Sequence, residues 1–574
     1  MSLRIAGSIA NAALRANEVG LSVASANVAN VDTEGYTRKT ATVAARGTGN
    51  GVSSVDVTGI GSTIDLQLMK TLVAARTGLG AAQTTGEWLD RLQSSLGTVD
   101  SGTGTAAMID TLANALATFA TSPESGSAKA VVVQDLANVA ASLRSASATV
   151  QSMRDQVDNE IATTVEAVNR NLDTIADLND RIVKAKALGK DTADLEDRRN
   201  LALQDLAGHL DIRYQTDANG QVRIATASGT ALLDSSVHRL SYTPAASVGP
   251  GTTFSPITVD GKDATAAIRS GTLGALITLR DETLPAQQAS LDTLALALKD
   301  TLNDIHNRGT AVPAPQTLTG TRTVTAGDAL SASGTLRVAV TGANGTAVSV
   351  QDFDLSGFAT VQDAIDALDA VPGLSASLSA DGKLVLTADD AANGVALAGI
   401  DDAVGPGGKG FSAWFGMNDL LAGSGAGDLN VSAAIAADSS RLAAGTLSTD
   451  AGLTAGSTAL ARGDATIAQA LSAAFSGTVD FPAAGGLPAR TTGFAGYAGA
   501  IVQGIATAAA GAASSLEAQS AYTDGLAGRL ASQSGVNLNE ELAAIQSLQT
   551  AYQAAAAVMQ AVRDMFDTAL GTVR

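Results

Sequence analysis

Both ends of the chain carry apolar residues at helical spacing. Near the amino terminus they alternate at steps of four and three, the pattern of a coiled-coil seam, at Ile5, Ile9, Ala12, Ala16, Val19, Val23 and Ala26. Near the other end they recur every seven residues, at Leu538, Ile545, Tyr552, Met559 and Phe566, with Leu542 beside this row. A lone amphipathic helix leaves its apolar stripe unburied, and pairing the two covers part of both stripes. We therefore predict paired terminal helices whose remaining apolar surface is covered by further copies of the chain.

Segments inside the two ends show the same helical spacing. It predicts helices at 62–96, 106–121, 128–188 and 281–306. The third of these segments places Ile161, Val168, Ile175 and Ile182 seven residues apart, which is typical of a helical bundle. Near residue 211 the period changes to alternation around Asn219–Gly220, a pair typical of a β-hairpin turn.

Between residues 311 and 410 the composition shifts toward Thr, Val, Gly and Asp. The stretches TLRVAVTG and GKLVLTADD alternate apolar and polar residues, and Asp381–Gly382 indicates another turn. The predicted fold class is therefore mainly α with β-rich parts: paired terminal helices, a long helical-bundle rod and an inserted β-rich outer domain. The predicted domains are a terminal coiled-coil domain of 1–36 plus 536–574, a helical rod domain of 37–310 plus 411–535 with a β-hairpin subdomain at about 211–275, and the insert of 311–410.

Composition narrows the class of function. Of the 574 residues, 45% are hydrophobic and 16% are charged, which is enough apolar material for several folded domains. The formal net charge of −20 argues against nucleic acid or an anionic membrane as a partner. The absence of cysteine excludes disulfides and thiolate metal sites. Polar residues interrupt the amino terminus and no continuous run reaches the ~18 apolar residues of a membrane span, so we expect a soluble chain without a cleaved leader.

Candidate catalytic and metal-binding residues are few. The three histidines, His209, His238 and His306, are far apart, and the two on predicted helices have no i+4 partner of the kind that binds zinc. The stretch GPGGKG at 405–410 lacks the Gly-Lys-Ser/Thr ending of a phosphate-binding loop and is predicted to be a flexible joint. We predict no catalytic, cofactor-binding or metal-binding residues and no enzymatic activity.

The stretch ASANVANVDTEGYTRK at 24–39 resembles the signature of flagellar rod, hook and hook-associated proteins. The matching residues are Asn27, Asn30, Gly35, Tyr36 and Thr37. Asp32 stands where that family more usually has Asn, a change that keeps a turn-forming side chain. In this family the Asn-rich stretch ends the first terminal helix, and the Gly-Tyr-Thr turn leads into the next domain.

Further stretches narrow the resemblance. Residues 534–570 look like the carboxyl-terminal helix of the same flagellar axial proteins. The segments 175–212, 270–309 and 410–421 are similar to internal segments of a hook–filament junction protein, which hook and rod proteins lack. The resemblance covers the ends and the rod and fades across 311–405.

The resemblance implies a structural subunit that polymerises at the distal end of the hook and joins hook to filament. The partners it implies are copies of the chain in a ring, the hook protein, the second hook–filament junction protein, an export chaperone on the carboxyl-terminal helix and the flagellar type III export apparatus. It implies a secreted, extracellular protein of the bacterial flagellum, and we expect no nucleic acid, membrane or cofactor. The predicted assembly interface comprises Ile5, Ile9, Val19, Val23, Asn27, Asn30, Gly35, Tyr36, Leu538, Leu542, Ile545, Tyr552, Met559 and Phe566.

Three alternatives stay open at this point. The chain could be another axial protein, such as a hook subunit or the second junction protein, although the segments 175–212 and 270–309 argue against that. It could be a secreted adhesin that binds through residues 311–410. It could be an enzyme, such as a peptidoglycan hydrolase, with its active site in the same insert.

Overall fold

The computed structural model describes residues 3–47, 53–96 and 104–572. Its helices are α1 (Leu3–Ala29), α2 (Leu66–Leu96), α3 (Thr105–Thr121), α4 (Gly126–Ala187), α5 (Ala193–His209), α6 (Gly271–Thr278), α7 (Leu284–His306), α8 (Val361–Asp369), α9 (Phe411–Phe415), α10 (Ala433–Ala437), α11 (Thr466–Ser476), α12 (Phe494–Ser534) and α13 (Leu538–Gly571). A π-helical turn, Leu279–Thr283, joins α6 to α7.

The strands of the described residues are short. They are β1 (Lys39–Gly47), β2 (Ser53–Ser62), β3 (Ile212–Thr216), β4 (Val222–Thr226), β5 (Ala231–Leu233), β6 (Leu240–Ser241), β7 (Thr258–Val259), β8 (Lys262–Asp263), β9 (Thr317–Thr323), β10 (Ala332–Ser333), β11 (Thr335–Gly342), β12 (Ala347–Asp354), β13 (Leu374–Leu378), β14 (Lys383–Ala388), β15 (Asn393–Gly399), β16 (Ala403–Val404), β17 (Leu421–Ala422), β18 (Asn430–Val431), β19 (Val479–Phe481) and β20 (Arg490–Thr492). The fold is therefore mainly α with β-rich parts, as the sequence predicts.

The chain folds into two compact units. The first comprises Met1–Leu89, Asp155–Asp281 and Ala509–Arg574. The second comprises Asp90–Arg154 and Glu282–Ala508. Each unit collects segments that are distant in sequence, so each depends on long-range packing. The division into three domains that the sequence suggests, with its boundaries, stays a prediction.

In the first unit, the heptad row of α4 forms part of the core. Ile161, Val168, Ile175 and Ile182 are each 0% exposed, because residues seven apart lie on one face of a helix. The predicted hairpin is confirmed: β3 pairs antiparallel with β4 on either side of Asn219–Gly220. Gly220 has φ +86°, a conformation that glycine adopts without a steric penalty.

The β1–β2 hairpin of the first unit was not predicted from the sequence. The two strands pair from Lys39↔Ser62 to Gly47↔Ser53 with one register shift, and the predicted helix at 62–96 begins later, at Leu66. Most of the hairpin is exposed, including Val43 and Val55. A strand that is exposed to solvent on both faces does not need to alternate apolar and polar residues. Its sequence is therefore hard to recognise as a strand from periodicity.

The β-rich region of the second unit is built on two three-stranded sheets. Their strand orders are β12-β11-β15 and β13-β14-β9, and all pairs are antiparallel. The strands predicted in TLRVAVTG and GKLVLTADD are therefore confirmed, as β11 and β14. Their apolar side chains pack with α8 in one cluster that also includes Phe411, Phe415 and Met417.

Candidate assembly interface

Helices α1 and α13 of the first unit pack antiparallel. Asn27 meets Glu541, Gly20 lies against Leu548, and Gly7 lies against Val562. A Cβ atom at Gly20 would lie 3.1 Å from Cδ2 of Leu548, so the two helices approach closely there. Ala10 and Ala24, two other small residues of α1, are also buried. Small side chains on α1 therefore permit the close contact.

The row of α13 that contacts α1 lies beside the row expected from the sequence. Glu541, Leu548 and Val562 contact α1, and with the half-buried Ala555 they form a row spaced seven residues apart, which we call the contact row. Of the predicted row, Ile545 and Met559 are half-buried, whereas Leu538, Tyr552 and Phe566 are exposed. Leu542 is exposed as well. On α1, Val23 is buried and Ile5, Ile9 and Val19 are half-buried.

Much of the exposed apolar surface is concentrated on α13. Fourteen large hydrophobic residues of the described chain are exposed, and seven of them lie on this one helix. They are Leu538, Leu542, Tyr552, Val558, Met565, Phe566 and Leu570, with 37% to 66% of each exposed. Five of them, Leu538, Leu542, Tyr552, Phe566 and Leu570, lie along one side of the helix, and an exposed apolar surface of this kind binds other proteins. We call these seven residues the outward row.

Asn27 ties the end of α1 to the following turn and to α13. Its side-chain amide donates to the Lys39 carbonyl at 2.9 Å and to Glu541 at 3.0 Å, and its oxygen accepts from the Lys39 backbone N–H and the Tyr36 hydroxyl, both at 3.0 Å. Arg38 Nε donates to the same Glu541 at 2.6 Å. Glu541 is only 2% exposed, so these partners replace the water that the carboxylate has lost.

The same turn is joined to α5 by a buried ion pair. Lys39 Nζ binds the Asp197 carboxylate, contacts Asp194 at 3.2 Å and lies 3.7 Å from the centre of the Tyr36 ring. Thr37 donates to Asp197 from its backbone N–H and its hydroxyl. Burial, with Asp194 and Asp197 nearby, raises the pKa of Tyr36 to about 12, so the phenol keeps its proton as a donor to Asn27.

Asn30 and Gly35 shape the turn between helix and hairpin. The Asn30 side chain donates to the Ala26 carbonyl at 2.9 Å and so closes the last turn of α1. Gly35 has φ +75°, which favours glycine. The signature at 24–39 therefore has a structural explanation, but Lys39, Asp197 and Glu541 were missed. Their ion-pair partners lie far away in sequence, and only Lys39 lies within a recognisable motif.

None of the three histidines is among the residues of the candidate interface. Burial lowers the pKa of His306 to about 4, and burial also lowers that of His209. His238 lies between Asp260 and Asp234, whose hydrogen bonds raise its pKa. Across 3–47, 53–96 and 104–572, no three His, Asp or Glu side chains are grouped as metal ligands.

One helical stretch of the described chain, Phe494–Gly571, is long and apolar enough to cross a membrane by length and composition. Its most apolar window has a mean hydropathy of 1.3, and 17% of that window is buried. No continuous apolar run was expected there, and this stretch reaches that value largely through alanine.

Three family models match the chain. That of the helical domain of flagellar hook-associated protein FlgK matches residues 89–320. The carboxyl-terminal model of the flagellar basal body rod FlgEFG proteins matches 527–572, and the model of flagella basal body rod proteins matches 8–37. The two terminal matches contain all of α13 and most of α1, the helices of the candidate interface.

Individual relatives agree with the family models. The chain is 25% identical over 317 residues to flagellar hook-associated protein 1 of Escherichia coli (strain K12), covering 52% of this chain and 56% of that protein. It is 24% identical over 240 residues to flagellar hook-associated protein 1 of Bacillus subtilis (strain 168), covering 39% and 46%. The chain thus spans about half the length of the curated relatives it matches.

A solved structure has the same fold. The flagellar hook junction protein FlgK from Burkholderia pseudomallei superposes with a TM-score of 0.50 at 16% identity, covering 80% of this chain and 99% of that one. The paired terminal helices, the signature at 24–39 and the terminal family matches are features that this chain shares with axial proteins of the bacterial flagellum. Within that class, the central family match and the relatives make the chain similar to flagellar hook-associated protein 1, over about half the length of those relatives.

Proposed function

We propose that this chain is a structural subunit of the flagellum that polymerises at the distal end of the hook and joins hook to filament. The observation that carries the proposal is the outward row of α13. Seven large apolar residues there are exposed on a helix that already pairs with α1, so the single chain leaves an apolar surface uncovered. The proposed position in the flagellum is supported by the relatives named flagellar hook-associated protein 1.

Neighbouring copies are the partners that this surface fits. The contact row binds α1 of the same chain, and the outward row lies on another part of α13, so one copy can present it to the next. Contacts between two different surfaces repeat around an axis and close into a ring when the rotation allows. Of the residues expected from the sequence, Leu542, Tyr552 and Phe566 would face neighbouring copies, whereas Val23 and Asn27 are buried within the single chain and would support the interface from inside.

The remaining partners follow from the position at the hook–filament junction. They are the hook protein, the second junction protein, the type III export apparatus and an export chaperone that covers α13 before assembly. A helix with an uncovered apolar surface tends to associate with other chains before export. A chaperone that covers this surface would prevent that association. Under this proposal the chain is secreted, works outside the cell and catalyses no reaction.

Deleting the gene for this chain and imaging the flagella by electron microscopy tests the proposal. We expect complete hooks that carry no filament, with filament protein released into the medium. Returning the full-length gene should restore the filaments. Absence of hooks would instead indicate a hook or rod subunit, and attached filaments would contradict the proposed role.

A further inference from the structure

The two apolar rows of α13 are unequal, and the less apolar one faces α1. The contact row contains a carboxylate, Glu541, and an alanine, Ala555. The neighbouring heptad row has five large apolar residues and no charge: Leu538, Ile545, Tyr552, Met559 and Phe566. Burial of apolar surface alone would turn that second row toward α1. Some other interaction therefore sets the rotation of α13 about its own axis.

Glu541 provides such an interaction. Its carboxylate is 2% exposed and accepts hydrogen bonds from Arg38 Nε at 2.6 Å and from Asn27 Nδ2 at 3.0 Å. A buried carboxylate is tolerated only where charged and hydrogen-bonding groups replace its water. Both donors are held in place. The backbone N–H of Arg38 donates to the Ser534 carbonyl, and the side-chain amide of Asn27 donates to the Lys39 carbonyl and accepts from the Lys39 N–H. A rotated α13 would leave both donors without this acceptor.

We propose that Glu541 is a positioning residue that sets the rotation of α13 against α1 and thereby keeps Leu538, Tyr552 and Phe566 of the more apolar row exposed. A polar residue in a helix seam commonly specifies register and partner choice while lowering stability. The role of the outward row in binding a second copy rests on the function proposed above. The rotation itself is a property of the single chain and can be measured without assembly.

Reactivity of single cysteines measures the rotation, because the chain has no cysteine of its own. Val562→Cys reports the contact row, where the residue is 5% exposed, and Tyr552→Cys reports the neighbouring row, where it is 41% exposed. With Glu541 present, we expect the thiol of Val562→Cys to react with a maleimide about tenfold more slowly than the thiol of Tyr552→Cys. In a Glu541→Leu background, we expect the thiol at position 552 to be protected and the thiol at position 562 to become reactive.

Glu540→Leu is the matched control. Glu540 also contacts Arg38, at 3.3 Å, but 59% of its side chain is exposed, so the control should leave both labelling rates unchanged. If Glu541→Leu lowers the helix content, Glu541→Ala is measured instead, because alanine is accepted throughout a helix. An unchanged ratio of rates in the folded Glu541 variant would overturn the proposal and leave Gly7 and Gly20 as the residues that fix the rotation.

Assembly of the same variants separates this inference from the proposed function. If Glu541→Leu rotates α13 and also prevents polymerisation, both the rotation and the role of the outward row are supported. If the helix rotates while polymerisation is unaffected, the inference about Glu541 stands and the proposed role of the outward row fails. If the helix does not rotate, the inference fails whatever happens to assembly.

Discussion

Lys39 and Asp197 show how much a single residue matters in the turn after α1. Their side chains are 5% and 8% exposed, and they join the signature turn to α5. Nothing in the sequence near Asp197 distinguishes it from the other carboxylates of 191–197, because its role depends on a lysine more than 150 residues away. A buried ion pair adds little net stability, but removing one partner leaves a charge without compensation.

Replacing Asp197 with Ala should therefore destabilise the first unit by about 3 kcal/mol. Asp194 remains 3.2 Å from Lys39 but is 71% exposed, so it compensates only in part. Urea unfolding followed by the fluorescence of Trp88 measures the change, with the other tryptophan replaced by Phe. Asp56→Ala is the control: its pair with Arg46 is exposed at both ends and should change the free energy of unfolding by less than about 1 kcal/mol.

His306 predicts a pH dependence for the second unit. The ring is fully buried, its Nδ1 lies 2.6 Å from the Asn418 carbonyl, and its Nε2 accepts from the Ala443 N–H at 2.9 Å. Both contacts suit the neutral ring, and burial lowers the folded pKa to about 4. Because the unfolded ring binds a proton near pH 6.5, stability is intact above that pH and falls by about 1.4 kcal/mol per pH unit on acidification toward pH 4.

Unfolding monitored at Trp414, compared between the wild-type chain and His306→Gln, checks this pH dependence. We expect the variant to be less stable at pH 7.5 and the difference between the two proteins to shrink by pH 5. His238 is the contrasting case, because its raised pKa adds stability at low pH that is lost as the pH rises. A wild-type advantage that stays constant between pH 7.5 and 5 would contradict the assignment.

At the scale of secondary-structure elements, helix contacts depend on where a side chain can fit. Gly80 in α2 lies so close to α5 that a Cβ there would be 2.1 Å from the Gly208 carbonyl oxygen. Gly86, in the same helix, would place a Cβ 3.8 Å from Leu516, an ordinary contact distance. Two glycines of the same helix therefore have opposite requirements.

Alanine substitutions at these two glycines should have opposite effects. Gly80→Ala should lower the free energy of unfolding by about 1–3 kcal/mol, because the backbone of α5 must move. Gly86→Ala should raise it by up to about 1 kcal/mol, because alanine favours the helix. Thermal unfolding of the two variants checks both. Equal effects would show that the two helices are packed differently from the structure described.

The terminal helices show what the sequence could and could not predict. Heptad spacing identified α1 and α13, because period alone requires no knowledge of a partner. It did not identify the contact row, because close approach depends on Gly7 and Gly20 opposite it and on donors that the turn at 36–39 brings to Glu541. The β1–β2 hairpin was missed because its exposed strands bury no apolar face.

At the scale of the whole molecule, apolar attraction between copies must overcome charge repulsion. Each chain carries a formal charge of −20, and seven large apolar residues lie exposed along α13. Salt screens repulsion between copies, with a Debye length of about 10 Å at 0.1 M, and sulfate strengthens apolar burial. Added salt therefore weakens the repulsion between copies and, as sulfate, also strengthens their apolar contact, so both effects favour assembly.

Polymerisation of the purified chain should consequently increase with ionic strength, and more with ammonium sulfate than with sodium chloride at equal ionic strength. Light scattering or analytical ultracentrifugation measures the response. Polymers that dissociate on adding salt would indicate assembly through ion pairs and would contradict a contact based on the outward row.

The most direct test of the outward row is complementation of the gene deletion with Leu542→Asp and Tyr552→Asp variants. Both residues are exposed in the single chain, at 57% and 41%, so the variants should fold normally by circular dichroism. Gln546→Asp, at an exposed polar position of α13, is the matched control. We predict that the control restores filaments on the hooks seen by electron microscopy, whereas the two variants leave hooks bare. Normal filaments with both variants would contradict the account.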